Sequence, residues 1–415
     1  MAGGYRDLLR TRHAARLLGG TLLGRLPNAM AALAIVLFLR SQGAGYGTAG
    51  TLSALYGLAV AAGQPLLGRA VDKRGQPRVM TGAALLSAAG FCLLAATGPA
   101  PLPLAVAAVL LAGLATPPLE GGLRALWPDV LRDQERVKRA YALDAAAQEV
   151  MFTVGPLLVT LAASAASHAA AVVLTGALGV AGTLVVVTAA PSRAWRAEPR
   201  EAHWLGALRS AGLAVLLCAC FFVGIALGAV ALAAVAYGDA HGGGPAAAYV
   251  LAANGLGALA GGLGYGARSW SGPPERRLRL LSLGLAACYP PLPAVPGLPW
   301  MLPLAALSGL FLAPTLACAF LVVDRHAPPG TVTEAFSWVV TAIGVGSALG
   351  TAVAGAAAQH GGAAAAFGVA AAGGAAATVV LLSTGAFLTA ANLETGAEKD
   401  PNRAPQPRFS TTHQA

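Results

Sequence analysis

The chain has 415 residues, 56% of them hydrophobic and 11% charged, with a mean hydropathy of +0.67 and a formal net charge of +10. A soluble domain carries roughly 25% charged residues, so a soluble globule is excluded. The apolar residues come in unbroken, membrane-length blocks without two-residue alternation, which selects helices over a closed barrel.

Twelve spans are predicted in chain order. The first is 15–39, too long and too interrupted, by Arg25 and Pro27, for a cleavable leader. The second, 47–67, is followed by the charged run Gly68-Arg69-Ala70-Val71-Asp72-Lys73-Arg74-Gly75-Gln76-Pro77-Arg78-Val79. Spans 79–97, 102–126, 141–163 and 168–190 complete a first half. A linker over 191–208, with Pro191, Arg193, Arg196, Pro199 and Arg200, leads to spans 209–236, 245–266, 279–295, 300–323, 333–357 and 363–390. Pro290, Pro291, Pro293 and Pro296 break the outer end of the ninth, and the polar tail 391–415 reads as disordered.

Charge orients these spans. With both termini cytoplasmic, all but three of the 27 Lys and Arg fall in inner segments; Arg25 and Arg124 lie within spans, and Arg40 is outside. The positive-inside rule therefore places both termini in the cytoplasm, with the basic charge facing anionic lipid, not nucleic acid. An internal repeat accompanies the topology. Leu111-Ala112-Gly113-Leu114 recurs as Leu307-Ser308-Gly309-Leu310, Pro118 as Pro314, Ala140-Tyr141 as Ala335-Phe336 and Gly155 as Gly350, at one nearly constant spacing. This predicts two related six-helix units, 1–190 and 209–390.

The run from Gly68 to Val79 resembles the loop signature of the major facilitator superfamily: a glycine, an aspartate four on and a glycine three further, flanked by Arg69, Lys73, Arg74 and Arg78. Gln76 and Pro77 replace the usual basic pair. The second copy is degraded, with Gly266 after Gly262 where an aspartate would stand, then Arg268, Arg276, Arg277 and Arg279. The resemblance implies an all-α membrane protein of twelve transmembrane helices in two six-helix pseudo-repeat bundles, working by alternating access. It also implies that Gly68, Arg69, Asp72, Lys73, Arg74, Gly75 and Arg78 form a gating loop. Asp72 would bond near the start of the eleventh helix, around Thr333 and Glu334, and the arginines would meet acids such as Asp129. Gly155-Pro156 in the fifth span matches the family's antiporter signature poorly, and a helix kink explains the pair equally well.

Ionisable groups inside spans are functional candidates. Arg25 lies about 15 Å, Glu149 about 12 Å and Glu120 about 9 Å deep at 1.5 Å per residue, with Arg124 and Asp144 shallower. The resemblance makes helices one, four and five neighbours, so Arg25 is expected to pair with Glu149 or Glu120; Glu120 and Arg124 also stand i, i+4. Two readings follow: a network in which Glu149 or Glu120 loads a proton when its arginine withdraws, or a static ion-pair lattice, the latter favoured for Arg124 and Asp144. Cavity candidates are Asn28, Tyr56, Thr116, Gln148 and Phe152 in the first half and Phe221, Asn254, Phe311, Thr315 and Trp338 in the second. The five cysteines lie in apolar blocks and read as small buried hydrophobes, and the histidines are scattered, so no metal, cofactor or enzymatic constellation is expected. A largely apolar cavity with one charged corner suits a lipophilic or amphiphilic small molecule. The expectation is a monomeric, proton-coupled exporter. The 24 Arg against 3 Lys suggest a GC-rich bacterium and its inner membrane. An uptake symporter or uniporter, and a non-transporting scaffold or enzyme, are the alternatives.

Overall fold

The computed structural model describes residues 3–198, 206–241 and 245–384. The tail expected over 391–415 and part of the linker, 199–205, lie outside the described residues. Among the described residues the chain is helical, with no strand. After a short helix Gly3–Arg10 come α1 (Ala14–Ser41), α2 (Tyr46–Arg74), α3 (Gln76–Thr97), α4 (Leu102–Leu114 continued as Leu119–Leu131), α5 (Gln134–Ala165) and α6 (His168–Val187). The second half contains α7 (Ala211–Ala240), α8 (Pro245–Ala267), α9 (Pro274–Cys288) and α10 (Leu298–Leu310 continued as Leu312–His326). A final helix, Val332–Ser383, is two segments, α11 (332–360) and α12 (363–383), parted by non-helical Gly361 and Gly362. The short helix ends joined near Gly75, Arg132 and Ala267 lie on one side of the bundle, called here the basic face.

Close approach of backbones builds the packing, as expected where lipid removes the hydrophobic drive between helices. The repeated glycines show how. A Cβ on Gly113 would meet the backbone of Tyr56 in α2, and one on Gly309 would meet the carbonyl of Asn254 in α8. The same α4–α2 contact is thus reproduced as α10–α8. The halves meet where α2 packs on α11, α5 on α8 and α10, and the second segment of α4 on α11.

Several expected boundaries shift for physical reasons. The run 68–79 is mostly helix: α2 continues to Arg74, and the turn into α3 is Gly75 alone, at φ +83°. Only glycine adopts that conformation without strain. The fourth span is not continuous. Pro117 and Pro118 remove two backbone donors and force an extended conformation before them, so α4 unwinds over Ala115–Pro118. Side chains serve the freed carbonyls: Ser87 Oγ and Thr116 Oγ1 donate to Ala112 O (2.8 and 3.1 Å), and Gln64 Nε2 donates to Thr116 O (3.0 Å). That is the condition for irregular backbone at membrane depth. Its repeat partner α10 breaks only at Phe311. The ninth span begins earlier than 279 and stops at Cys288, before its prolines. Cys92 and Cys218 are exposed on the outside of the bundle, contrary to the expectation for all five cysteines; Cys220, Cys288 and Cys318 are buried and all are free thiols.

Candidate functional site

Four charged side chains meet inside the first half. Arg25 of α1 bonds Glu120 Oε2 at 2.8 Å through Nη2 and Asp144 Oδ1 at 2.9 Å through Nη1. Arg124 of α4 bonds Glu120 Oε1 at 2.5 Å and Asp144 Oδ2 at 2.8 Å through Nη2, and its Nε adds a 3.0 Å bond to Asp144. Each carboxylate bridges both guanidiniums, so two cations and two anions cancel. Gln148 Oε1 accepts a further 2.9 Å bond from Arg25 Nη2. Arg124 and Asp144 are 0% exposed, Arg25 3% and the Glu120 side chain 11%, so Glu120 is the member with residual access.

Local structure places each member. Glu120 sits in the first turn of the second α4 segment, just past the proline break, where a carboxylate is favoured by the helix dipole. Arg124 follows one turn later on the same face. Asp144 and Gln148 are also one turn apart, on α5. The expected Glu120–Arg124 and Arg25–Glu120 pairs are present. Asp144, expected near the interface as part of a static ion-pair lattice, is fully buried and holds both arginines. Glu149 belongs to α5, and its side chain lies outside the described residues.

A second polar constellation crosses between the halves at the basic face. Asp72 Oδ1 accepts from the Thr333 amide (3.1 Å) and Oδ2 from the Glu334 amide (2.8 Å), capping the start of α11. Arg69 Nη2 bonds Glu334 Oε1 at 2.6 Å, and the Ala207 amide donates to the same oxygen at 3.3 Å. Gly68 lies against Ser337 and Glu334, where a Cβ would meet Ser337 Oγ at 2.6 Å. Gly68 therefore serves helix contact and not a turn. Arg69 pairs with Glu334 and not with Asp129, which is exposed. Lys73, Arg74 and Arg78 are exposed as well. Gln76 is buried, donating to Gly122 O (3.0 Å) and accepting from Ser192 Oγ (2.7 Å), which fits the loss of a charge at this position. Across the degraded second copy, Lys138 Nζ bonds Glu135 (2.6 Å) and the Arg268 carbonyl (2.9 Å).

Interbundle contacts extend from this face to mid-depth, where Thr341 Oγ1 donates to Ala61 O at 2.8 Å. Farther along α11, Val345, Leu349 and Val353 are exposed. The structure is thus closed at the basic face.

A crevice beside the α4 break, lined by Gly24, Pro27, Ser87, Phe91, Thr116 and Gly176 among others, takes in Thr116. The Tyr56 ring packs on Phe91 (5.7 Å), and Phe221 on Phe222 (5.5 Å). Asn254 Nδ2 bonds Ser308 Oγ (2.9 Å) and Ala305 O (3.3 Å), joining α8 to α10. Thr315 bonds back to the Phe311 carbonyl at 2.6 Å, and Phe311 packs against Gly284. Asn28 and Trp338 are half-buried, and Phe152 is 48% exposed. Among the described residues no group of three His, Cys, Asp or Glu is placed to hold a metal. Phe320 and Phe336, which cover Arg124, were not singled out by the sequence as site residues; the alignment of Phe336 with Tyr141 in the repeat was the available signal.

Among the described residues nine helices are long and apolar enough to cross a membrane, Val332–Ser383 counted as one, and with a charge cluster inside one half and polar contacts joining both this is the architecture of a transporter and not of an enzyme. The chain belongs to the major facilitator superfamily, whose model matches residues 17–330. It is therefore a multi-pass membrane protein, of a family that carries small molecules across the bilayer. Among solved structures, a bacterial homologue of the iron transporter ferroportin in an outward-facing state aligns with TM-score 0.68 at 13% identity, covering 90% of this chain and 99% of that one. The E. coli fucose:proton symporter aligns with TM-score 0.65 at 15% identity (89% and 97%). A human organic anion transporter aligns with TM-score 0.62 at 18% identity (88% and 99%). No curated protein matches the chain.

Proposed function

We propose that this chain is a proton-coupled exporter of a lipophilic or amphiphilic small molecule, acting as a monomer in a bacterial plasma membrane with both termini cytoplasmic. The units 1–190 and 209–390, joined by the linker 191–208, rock about their interface. The observation that carries the coupling is the buried, charge-balanced cluster of Arg25, Glu120, Arg124 and Asp144. Inside a membrane such a group is costly unless paired. Its neutrality in the closed state means that any movement withdrawing one arginine leaves a carboxylate to take up a proton. Glu120 is the proton carrier, because it keeps access to solvent while Asp144 has none. Asp72, Arg69, Gly68 and Gly75 latch the cytoplasmic gate. Lys73, Arg74 and Arg78 face the cytoplasmic side of the bilayer.

A cargo without an anionic group is supported by Arg25 and Arg124 both being paired to carboxylates, which leaves no uncompensated cation in the cluster among the described residues. The test is transport in proteoliposomes with an imposed pH gradient. Glu120→Gln should abolish proton-driven efflux of a lipophilic dye while energy-independent exchange persists. Full coupling in that variant, or uptake without efflux in the wild type, overturns the proposal.

A further inference from the structure

Arg124 is held in an unusual way. Its Nε and Nη2 are bonded to carboxylates, but its Nη1 is buried with no hydrogen-bond partner. A buried N–H without an acceptor is costly, more so on a cation. The guanidinium plane is covered instead by the Phe320 ring, with Cζ 3.4 Å from the ring centroid, and Phe336 stands 5.7 Å away. Phe320 is fixed edge-on by Tyr141 (6.1 Å, 78°) and Phe336 (6.3 Å, 70°). Tyr141 and Phe336 are 0% exposed and Phe320 1%. The Tyr141 hydroxyl also donates to the Arg124 carbonyl at 3.3 Å.

Arg124 and Tyr141 come from the first half, Phe320 and Phe336 from the second. The spacing that aligns Leu111 with Leu307 and Pro118 with Pro314 aligns Arg124 with Phe320, and Tyr141 aligns with Phe336. Two pairs of equivalent positions therefore meet each other. Only positions close to the axis relating the repeats can touch their own equivalents. The halves cannot separate at the basic face without lifting Phe320 from Arg124.

We propose that Phe320 is a positioning residue that ties Arg124, and through it the ion cluster, to the arrangement of the two halves. With the basic face closed, the ring stabilises the desolvated guanidinium where no acceptor is available. When that face opens, the ring departs, water reaches Arg124, and its hold on Glu120 and Asp144 loosens. This deepens the reading of the cluster as the coupling site and rests on it.

The experiment measures the distance between spin labels at Gln134 and Arg276, both exposed on the basic face in opposite halves, in a background lacking the five native cysteines. A desolvated cation–π contact is strong enough that Phe320→Leu should raise the ratio of long to short distances by about tenfold or more. Phe320→Tyr and Phe320→Trp, which keep a π face, should hold the wild-type ratio. Phe336→Leu, at a longer distance from Arg124, should shift it less. A wild-type ratio in Phe320→Leu overturns the proposal, as does an equal shift in the tyrosine variant or in Phe336→Leu, since either would mark a packing effect. Should Phe320→Leu not fold, Phe320→Met removes the ring while filling the space flexibly and is read against the same outcomes. Recording the wild type from pH 5 to 8 separates the two readings. A distribution unmoved by pH sinks proton coupling and leaves the Phe320 shift to stand or fall by itself; a pH-sensitive wild type with no Phe320 effect sinks the tie alone.

Discussion

Replacing Asp72 by asparagine removes one negative charge and one of two acceptor oxygens at the start of α11. In the closed structure Oδ1 and Oδ2 each take one amide, from Thr333 and Glu334, and Asp72 is 8% exposed. Asparagine serves one amide and turns an NH2 toward the other. A hydrogen bond to a charged group contributes about 1.5–3 kcal/mol, and a negative charge at a helix N-terminus about 0.3–2 kcal/mol. In the open state water satisfies the same amides, which offsets part of this. A net loss of about 2–3 kcal/mol from the closed state corresponds to roughly 30- to 150-fold more open protein. Ser337 is 0% exposed behind the latch and lies against Gly68, so a cysteine at Ser337 reports opening. Its reaction with an impermeant maleimide, in sealed vesicles with the basic face outward, should accelerate by that factor in Asp72→Asn while substrate affinity stays unchanged. Labelling at the wild-type rate, or an altered substrate range, would refute the latch assignment.

Gly206→Ala should loosen the same latch by a different route. Its φ is +54°, and a Cβ there would meet the Glu334 carboxylate and Arg69 Nη2, so the cost is about 1–3 kcal/mol of strain, read as faster labelling at Ser337. Asp144→Asn leaves two buried arginines with one full carboxylate and should lower unfolding free energy in detergent by about 3–5 kcal/mol; a melting temperature equal to wild type would contradict its place between both guanidiniums. Asn254→Ala removes the bonds from α8 to α10 and should cost only about 0.6 kcal/mol, the average for polar contacts between membrane helices. A larger drop than in Asp144→Asn would invert the ranking argued here. Gly113→Val should destabilise far more than Gly82→Val, because α2 backbone lies against Gly113 and nothing lies against Gly82.

The helices were legible because a span is a local property: apolar length and the flanking charge suffice. The family resemblance of the Gly68–Val79 run implied the partner of Asp72 around Thr333 and Glu334, a contact between residues far apart in sequence. Depth was less legible. Counting residues from an assumed span end placed Asp144 near the surface, because α5 starts at Gln134 and the basic-face contacts bury its first turns. The choice among carboxylates for Arg25 depends on helix rotation, which periodicity cannot supply when every face is apolar. The role of Phe320 was hidden for the same reason: one phenylalanine in an apolar helix looks like any other until its neighbour across the interface is known. The cavity candidates were chosen by residue type, and several, Asn254 and Thr315 among them, turn their polar atoms to neighbouring backbone or helix contacts.

The unequal breaks in α4 and α10 have a mechanical consequence. Over Ala115–Pro118 the helix ladder is interrupted and side chains bridge the gap, whereas α10 yields at Phe311 alone. A helix missing several of its own hydrogen bonds bends more easily than one missing few. The two equivalent helices therefore differ in how easily they bend. In the proposed rocking motion, α4 is expected to bend at its break, beside Glu120, more than α10 does at Phe311.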